Sequence, residues 1–280
     1  MIICGDSLTV LKTLNTEFVN CCITSPPYYN QRDYGIDGQI GLEPDPYLYI
    51  DKLVGVFSEV KRILKDDGTL WLNISDTYAA NRSYQVPSTK GGVKHGPGQA
   101  AGGRGSKVPC GLKPKDLIGI PWRLAFALQA DGWYLRQDCI WEKPNVFPQS
   151  VKDRCTTSHE YMFLLSKSEK YYFDCKAIEE NGAKGKRNKR SVWSIPTQPS
   201  KINHCAMFPS KLIEPCVLAS CPIDGVVLDP FAGSGTTGQV AIENKRKYIL
   251  IELNPEYIKY IEERLNISKP EVKDNIEGIR

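Results

Sequence analysis

The stretch Val226–Glu252, VVLDPFAGSGTTGQVAIENKRKYILIE, decides the fold. An apolar run, Val226–Leu228, leads into a turn holding Gly233, Gly235 and Gly238 in the pattern G-x-G-x-x-G. Helix-forming sequence, Thr236–Asn244, follows, and a second apolar run, Tyr248–Glu252, closes the unit. The glycine pattern is informative only in this strand–turn–helix setting. Glycines let the backbone approach a ligand closely, and the helix start offers unpaired N–H groups. Glu252 ends the second strand, 23 residues after Asp229, where a carboxylate accepts hydrogen bonds from the ribose hydroxyls of an adenosine cofactor. A turn serving only helix packing is the competing reading of the glycines; the strand before and the acid after favour the cofactor. Asp229-Pro230-Phe231 separates strand from first glycine. An acid at the strand tip repels a pyrophosphate and suits a ligand with sulfonium and ammonium groups. S-adenosylmethionine is therefore favoured over a dinucleotide, which stays open.

Outward from this unit the alternation continues. Short apolar runs predict strands at Ile2–Cys4, Cys21–Thr24, Thr69–Ile74, Arg136–Trp141 and Tyr161–Leu165, continuous enough to be covered on both faces. Apolar residues at helical spacing predict helices at Tyr47–Leu64, Leu117–Ala130, Lys211–Ala219 and Glu256–Leu265. Asp45-Pro46 and Asn254-Pro255 each supply an N-cap followed by proline at the first helical position. Strands alternating with helices predict an α/β fold with a mainly parallel sheet.

The 280 residues, 41% hydrophobic and 24% charged, suit a globular chain built as one domain with insertions. No run approaches the ~20 apolar residues of a membrane span. MIICGDSLTV lacks the basic region and long apolar run of a secretory signal, so a cytoplasmic protein is expected. Ten cysteines form no C-x-x-C pair and read as reduced thiols. Three histidines, none in H-E-x-x-H, give no expectation of a metal.

The formal charge of +4 is unevenly spread. Tyr78–Lys115 holds eight of the 23 glycines and seven Lys/Arg with no acid; Asn181–Arg190, NGAKGKRNKR, holds five Lys/Arg with no acid. Both read as loops, ordered only on binding, and the rest of the chain is net acidic. A lone basic run is usually a solvated surface loop. Two acid-free basic loops on one α/β domain point to nucleic acid.

Directly after Cys21–Thr24 comes Ser25-Pro26-Pro27-Tyr28. Two prolines cannot continue a central strand, and their fixed φ holds the chain extended beyond the sheet edge. A hydroxyl, outward carbonyls and a flat ring together can hold the amino group of a base while Tyr28 stacks on it. A bland strand-end turn is the equal alternative from these four residues alone.

TSPPY (Thr24–Tyr28), LDPFAGSGTT (Leu228–Thr237) and ILIELNPEYI (Ile249–Ile258) resemble the DNA amino-methyltransferases, and the order, catalytic motif before cofactor motif, resembles their beta group. ICGDSLTVLKTL, DGWYLRQDCIWEKPN (Asp131–Asn145), HEYMFLLSKSEKYYFD (His159–Asp174) and HCAMFPSKL (His204–Leu212) extend the resemblance over most of the chain. It implies a Rossmann-like, seven-stranded, circularly permuted methyltransferase sheet, with Val226–Leu228 central and a late hairpin. It implies transfer of a methyl group from S-adenosylmethionine to an exocyclic amino nitrogen of a flipped base in double-stranded DNA. Ser25, Pro26, Pro27 and Tyr28 are then catalytic. Cofactor contacts are implied for Asp6, Thr24, Phe208, Pro209, Asp229, Phe231, Ala232, Gly233, Ser234, Gly235, Thr236, Thr237, Glu252 and Asn254. Serine before Pro-Pro-Tyr more often accompanies N4-cytosine than N6-adenine in that family.

The recognition region is implied at 143–201, and within it Lys184, Lys186, Arg187, Lys189 and Arg190 are expected to meet phosphates. A cognate restriction endonuclease fits the class, and monomer and homodimer stay open. Two other chemistries are weighed. A nicotinamide oxidoreductase leaves Ser25–Tyr28 unexplained. A 5-carbon cytosine methyltransferase needs a cysteine after proline; Pro109-Cys110 and Pro215-Cys216 carry little weight, since 19 prolines and ten cysteines give about 0.7 such pairs by chance and no other signature of that chemistry accompanies them.

Overall fold

The computed structural model describes residues 1–79, 111–146, 148–149, 151–198 and 207–266. In chain order the elements are β1 (Ile2–Cys4), α1 (Ser7–Leu11), β2 (Val19–Thr24), α2 (Pro46–Ile63), β3 (Leu64–Ile74), α3 (Ile120–Ala130), β4 (Tyr134–Glu142) and β5 (His159–Ser166). There follow β6 (Glu180–Gly182), β7 (Gly185–Arg187), β8 (Val192–Ser194), α4 (Ser210–Ser220), β9 (Val226–Asp229), α5 (Thr236–Glu243), β10 (Lys247–Glu252) and α6 (Pro255–Arg264).

The main sheet runs β1-β10-β9-β2-β3-β5-β4-β8. Its pairings are parallel except where β5 lies antiparallel to β3 and to β4. As expected, β9 is central, with β10 and β1 to one side and β2 to the other. The expected seven strands are eight among the described residues, because β8 pairs with β4 from Ile140↔Val192 to Glu142↔Ser194. Only Trp193 of this three-residue strand is buried, its ring 6.0 Å from that of Trp71, so no alternation marks it in the sequence.

The sheet is covered on both faces, as its unbroken apolar strands require. One face packs Cys22, Leu70, Leu72, Phe163 and Leu165 under α1, α2 and α3. The other packs Cys21, Ile23, Trp71, Met162 and Leu164 under α4 and α5. Alternate residues of β2, β3 and β5 thus go to opposite cores. Helix α2 begins where the Asp45 side chain accepts from the N–H groups of Tyr47 (2.9 Å) and Leu48 (3.0 Å). It buries Leu53, Val56, Phe57, Val60 and Ile63 on one stripe. Truncating Phe57 to Ala there would cost about 3–5 kcal/mol.

A further sequence expectation is corrected. Asn181–Arg190 is not all loop: β6 and β7 pair antiparallel, with Asn181 opposite Lys186. Its acid-free run is answered by Glu180, one residue upstream, which pairs with Arg187 and Arg190, both at 2.9 Å. Residues 80–110 of the other basic stretch lie outside the described residues. Its two ends meet, Ala79 N–H donating to Asp116 O at 2.7 Å and Lys115 N–H to Ala79 O at 2.6 Å.

Candidate active site

Parallel strands end together, so the C-terminal tips of β1, β10, β9 and β2 bring Asp6, Glu252, Asp229 and Ser25 to one sheet edge. Open α/β sheets bind ligands at this edge. A cavity of about 790 Å3 opens there. Of the residues expected to act, Asp6, Ser25, Pro26, Pro27, Tyr28, Phe208, Phe231, Gly233, Glu252 and Asn254 line it. The tetrapeptide and the glycine turn therefore share one space.

Thr24, Pro209, Asp229, Ala232, Ser234, Gly235, Thr236 and Thr237 are not part of this lining. Asp229 is the informative case. Its position at a strand tip suggests a carboxylate facing a cationic ligand, yet it is buried. Thr24 Oγ1 donates to Oδ1 and Thr237 Oγ1 to Oδ2, each at 2.6 Å, and the Phe231 N–H donates to Oδ1 at 3.1 Å. Burial pushes its carboxyl up to about 6 against the pull of these bonds. The carboxylate ties the strand carrying Ser25 to the glycine turn and its helix. Ser7 adds a second tie, its hydroxyl donating to Pro230 O at 2.6 Å.

The turn is shaped by its glycines. Gly235 has φ +80°, and a Cβ there would stand 3.0 Å from Ile261 Cγ2 of α6. A Cβ at Gly238 would come within 2.7 Å of Leu250 Cδ1, so this glycine lets α5 lie against β10. Glu252 faces the cavity with Oε2 accepting from Gly233 N–H (2.7 Å) and Oε1 from Asn254 N–H (2.8 Å). Burial pushes its carboxyl up to about 7. Each oxygen keeps a second lone pair for a ligand hydroxyl. Asp6 caps α1, its Oδ1 accepting from Thr9 N–H at 2.9 Å and Thr9 Oγ1 at 2.7 Å. This lining suits the adenosine and methionine parts of S-adenosylmethionine: paired acceptors for ribose hydroxyls at Glu252, and apolar walls from Phe208 and Phe231.

The tetrapeptide is held from behind. Tyr49 Oη donates to Pro27 O at 2.9 Å, from the buried stripe of α2. Among the described residues no hydrogen bond reaches the Pro26 carbonyl. Ser25 Oγ lies 3.2 Å from Tyr28 Oη. Tyr28 Oη donates towards Glu160 Oε2 at 2.7 Å and Asn73 Oδ1 at 3.0 Å, and Lys143 forms an ion pair with Glu160 Oε1. Burial, with Glu160 beside it, pushes the Tyr28 hydroxyl well above the tyrosine range. Asn73, Lys143 and Glu160 all line the cavity, and sequence reasoning named none of them. The signal was there: a lone Asn in the apolar run LWLNI and a Glu opening the apolar run EYMFLL.

The five expected phosphate-binding residues lie away from the cavity, on or beside the β6–β7 ribbon. Arg187 and Arg190 share Glu180, Lys186 Nζ donates to Asn181 Oδ1 at 2.9 Å, and Lys189 lies 5.2 Å from the Trp193 ring centre. Lys184 has no such partner among the described residues. Cys216, the described cysteine that follows a proline, is buried in α4 and its thiol is pushed up by burial, the opposite of what a thiolate nucleophile needs. Cys110 lies outside the described residues.

A permuted, mostly parallel sheet with a glycine turn and a Ser-Pro-Pro-Tyr corner on one cavity defines the class as a nucleotide-binding methyltransferase fold. A family model described as DNA methylase, of the N6/N4 methyltransferases, matches residues 19–263, and the chain belongs to that family. The type II methyltransferase M.Cfr9I of Citrobacter freundii is 55% identical over 263 residues, covering 93% of this chain and 86% of that protein. Among solved structures, the cytosine-N4-specific PvuII DNA methyltransferase matches with a TM-score of 0.70 at 25% identity, over 95% of this chain and 87% of that one. The Thermus thermophilus protein TTHA0409, solved in complex with S-adenosyl-L-methionine, shares the fold: TM-score 0.62, 23% identity, 94% of this chain and 93% of that one.

Proposed function

We propose that this DNA methyltransferase transfers a methyl group from S-adenosylmethionine to N4 of a cytosine flipped out of double-stranded DNA. One observation carries the reading: Ser25 and Pro26 line the same cavity as Gly233 and Glu252, so an amino acceptor and an adenosine-bearing donor can meet. The likeness to a cytosine-N4-specific enzyme supports cytosine. Adenine, whose N6 is also an exocyclic amino group, is the alternative.

S-adenosylmethionine, when bound, supplies an electrophilic methyl group on sulfur. The chain's residues then do the following. Glu252 accepts from ribose hydroxyls, and Phe208 and Phe231 wall the rest of the donor. The flipped base enters beside Tyr28. The Ser25 hydroxyl and the Pro26 carbonyl accept hydrogen bonds from its amino group, which turns the nitrogen lone pair out of ring conjugation and towards the methyl group. The sulfur–methyl bond breaks as the nitrogen–methyl bond forms, a neutral thioether is the leaving group, and one amino proton passes to solvent water after attack, so no strong base is needed. Positioning and electrostatics account for most of the acceleration.

Residues 143–201 would form the target-recognition region, with the β6–β7 ribbon contacting phosphates. Such an enzyme works beside prokaryotic DNA in the cytoplasm, paired with an endonuclease of the same specificity. The test is tritiated-methyl incorporation into DNA under single-turnover conditions. Ser25→Ala should slow transfer by about 10²-fold, the scale of one transition-state hydrogen bond, with donor affinity unchanged. An unchanged single-turnover rate would refute the role given to Ser25.

A further inference from the structure

A serine hydroxyl cannot by itself tell an amino group from a carbonyl, because it donates and accepts and rotates to suit. What stands behind Ser25 removes that freedom. Its Oγ lies 3.2 Å from Tyr28 Oη, and Tyr28 Oη lies 2.7 Å from Glu160 Oε2 and 3.0 Å from Asn73 Oδ1. Glu160 is ion-paired with Lys143, and a carboxylate has no proton to give. The Asn73 amide is oriented as well: its Nδ2 donates to Tyr161 O at 3.0 Å and to Glu160 Oε2 at 3.1 Å, which leaves Oδ1 towards Tyr28. Both inner partners of Tyr28 are therefore acceptors. Its one proton is drawn to them, and Ser25 meets its lone pair. The Ser25 proton is spent inward, and its oxygen faces the cavity as an acceptor.

We propose that Glu160 is a specificity-determining positioning residue, which fixes the direction of the Glu160–Tyr28–Ser25 chain so that Ser25 accepts from the target base and does not donate to it. The inference rests on the amino-transfer reading above and extends it. A base with an exocyclic amino group finds an acceptor. Its carbonyl counterpart, uracil for cytosine or hypoxanthine for adenine, faces oxygen with oxygen. Both Glu160 and Asn73 are buried, where a mismatched pair of polar groups is costly. The raised Tyr28 hydroxyl fits this role, since it stays protonated and remains a donor to Glu160. A partly buried Lys–Glu pair is a weak source of stability once its desolvation is counted, and here it fixes hydrogen-bond direction.

The test is competition binding to duplexes that carry the recognition site, with S-adenosylhomocysteine present to prevent turnover. The target position holds the amino base, its carbonyl counterpart or no base, each opposite an abasic position so that unpairing costs are equal. The wild type should prefer the amino base by about tenfold, the scale of one mispaired buried hydrogen bond. Glu160→Asp, still an acceptor only, should keep the preference. In Glu160→Gln, Lys143 holds the amide oxygen on the Oε1 side, which turns the NH2 group towards Tyr28 and reverses the chain. The preference should fall at least about threefold from that of the wild type, the Pro26 carbonyl holding what remains, with binding to the base-free duplex unchanged. If Glu160→Gln fails to fold, Tyr28→Phe breaks the same chain and should show the same fall. Full preference retained by Glu160→Gln or Tyr28→Phe overturns the inference, as does equal loss in Glu160→Asp and Glu160→Gln. A wild type that methylates no amino base refutes the amino-transfer reading instead.

Discussion

Replacing Asp229 with Asn should change how stability depends on pH, by an amount the structure sets. The buried carboxyl is raised from 3.8 to about 6, a shift of roughly two pH units, worth about 3 kcal/mol at 1.36 kcal/mol per unit. The folded chain holds this proton more tightly than the unfolded chain. Its contribution is full below pH 4 and is lost as pH rises through about 6, because the folded state binds more protons across that window. Asparagine does not titrate, and the Thr24 and Thr237 hydroxyls can turn to pair with an amide. The unfolding free energy of Asp229→Asn should therefore gain on the wild type by about 3 kcal/mol between pH 4 and pH 7.5, whatever its offset at either end. Glu252, raised in part by Asp229, moves in the same direction. Urea unfolding of both proteins across this range gives the difference curve, in which unrelated groups cancel. Parallel curves would refute a buried, titrating Asp229.

Other expectations follow from the same geometry. Gly235→Ala places a Cβ at positive φ and against Ile261, so thermal unfolding should show a loss of about 1–2 kcal/mol. Exchanging Lys184, Lys186, Arg187, Lys189 and Arg190 for Gln should flatten the salt dependence of DNA binding, by up to about 0.9 in slope per lost phosphate contact; an unchanged slope would remove the ribbon from the interface. Glu180→Gln frees Arg187 and Arg190 and should tighten DNA binding at low salt. Donor affinity should weaken as pH falls below about 7, where Glu252 takes up its proton and its acceptor bonds weaken; titration calorimetry of Glu252→Gln should show no such dependence.

The fold was legible where a physical signal was local. Val226–Glu252 carries strand, turn and helix in one unit, and Asp45-Pro46 and Asn254-Pro255 mark two helix starts by their capping chemistry. The elements that escaped are short. Helix α1 spans five residues and β8 three, too few for any period to show. The β6–β7 ribbon was hidden because composition reads its lysines and arginines as loop, whereas Glu180 across the ribbon holds Arg187 and Arg190 in place. In the site, the tetrapeptide and glycine turn were legible as motifs. The group behind Tyr28 was not, since Asn73, Lys143 and Glu160 come from three segments that meet only through the antiparallel register of β3, β5 and β4. Asp229 was read at its correct place on the strand but turned the wrong way, because nothing local announces that two threonines, 205 and eight residues distant, take its oxygens.

The most direct test of the central claim is to sequence native DNA from cells expressing the wild type and, separately, Ser25→Ala, with a readout that separates the modified bases. The wild type should leave N4-methylcytosine at one short, recurring sequence, and Ser25→Ala should leave little or none. No modified base with the wild type, or methylation at cytosine C5, would contradict the account. N6-methyladenine would keep the amino-transfer mechanism and overturn the choice of cytosine.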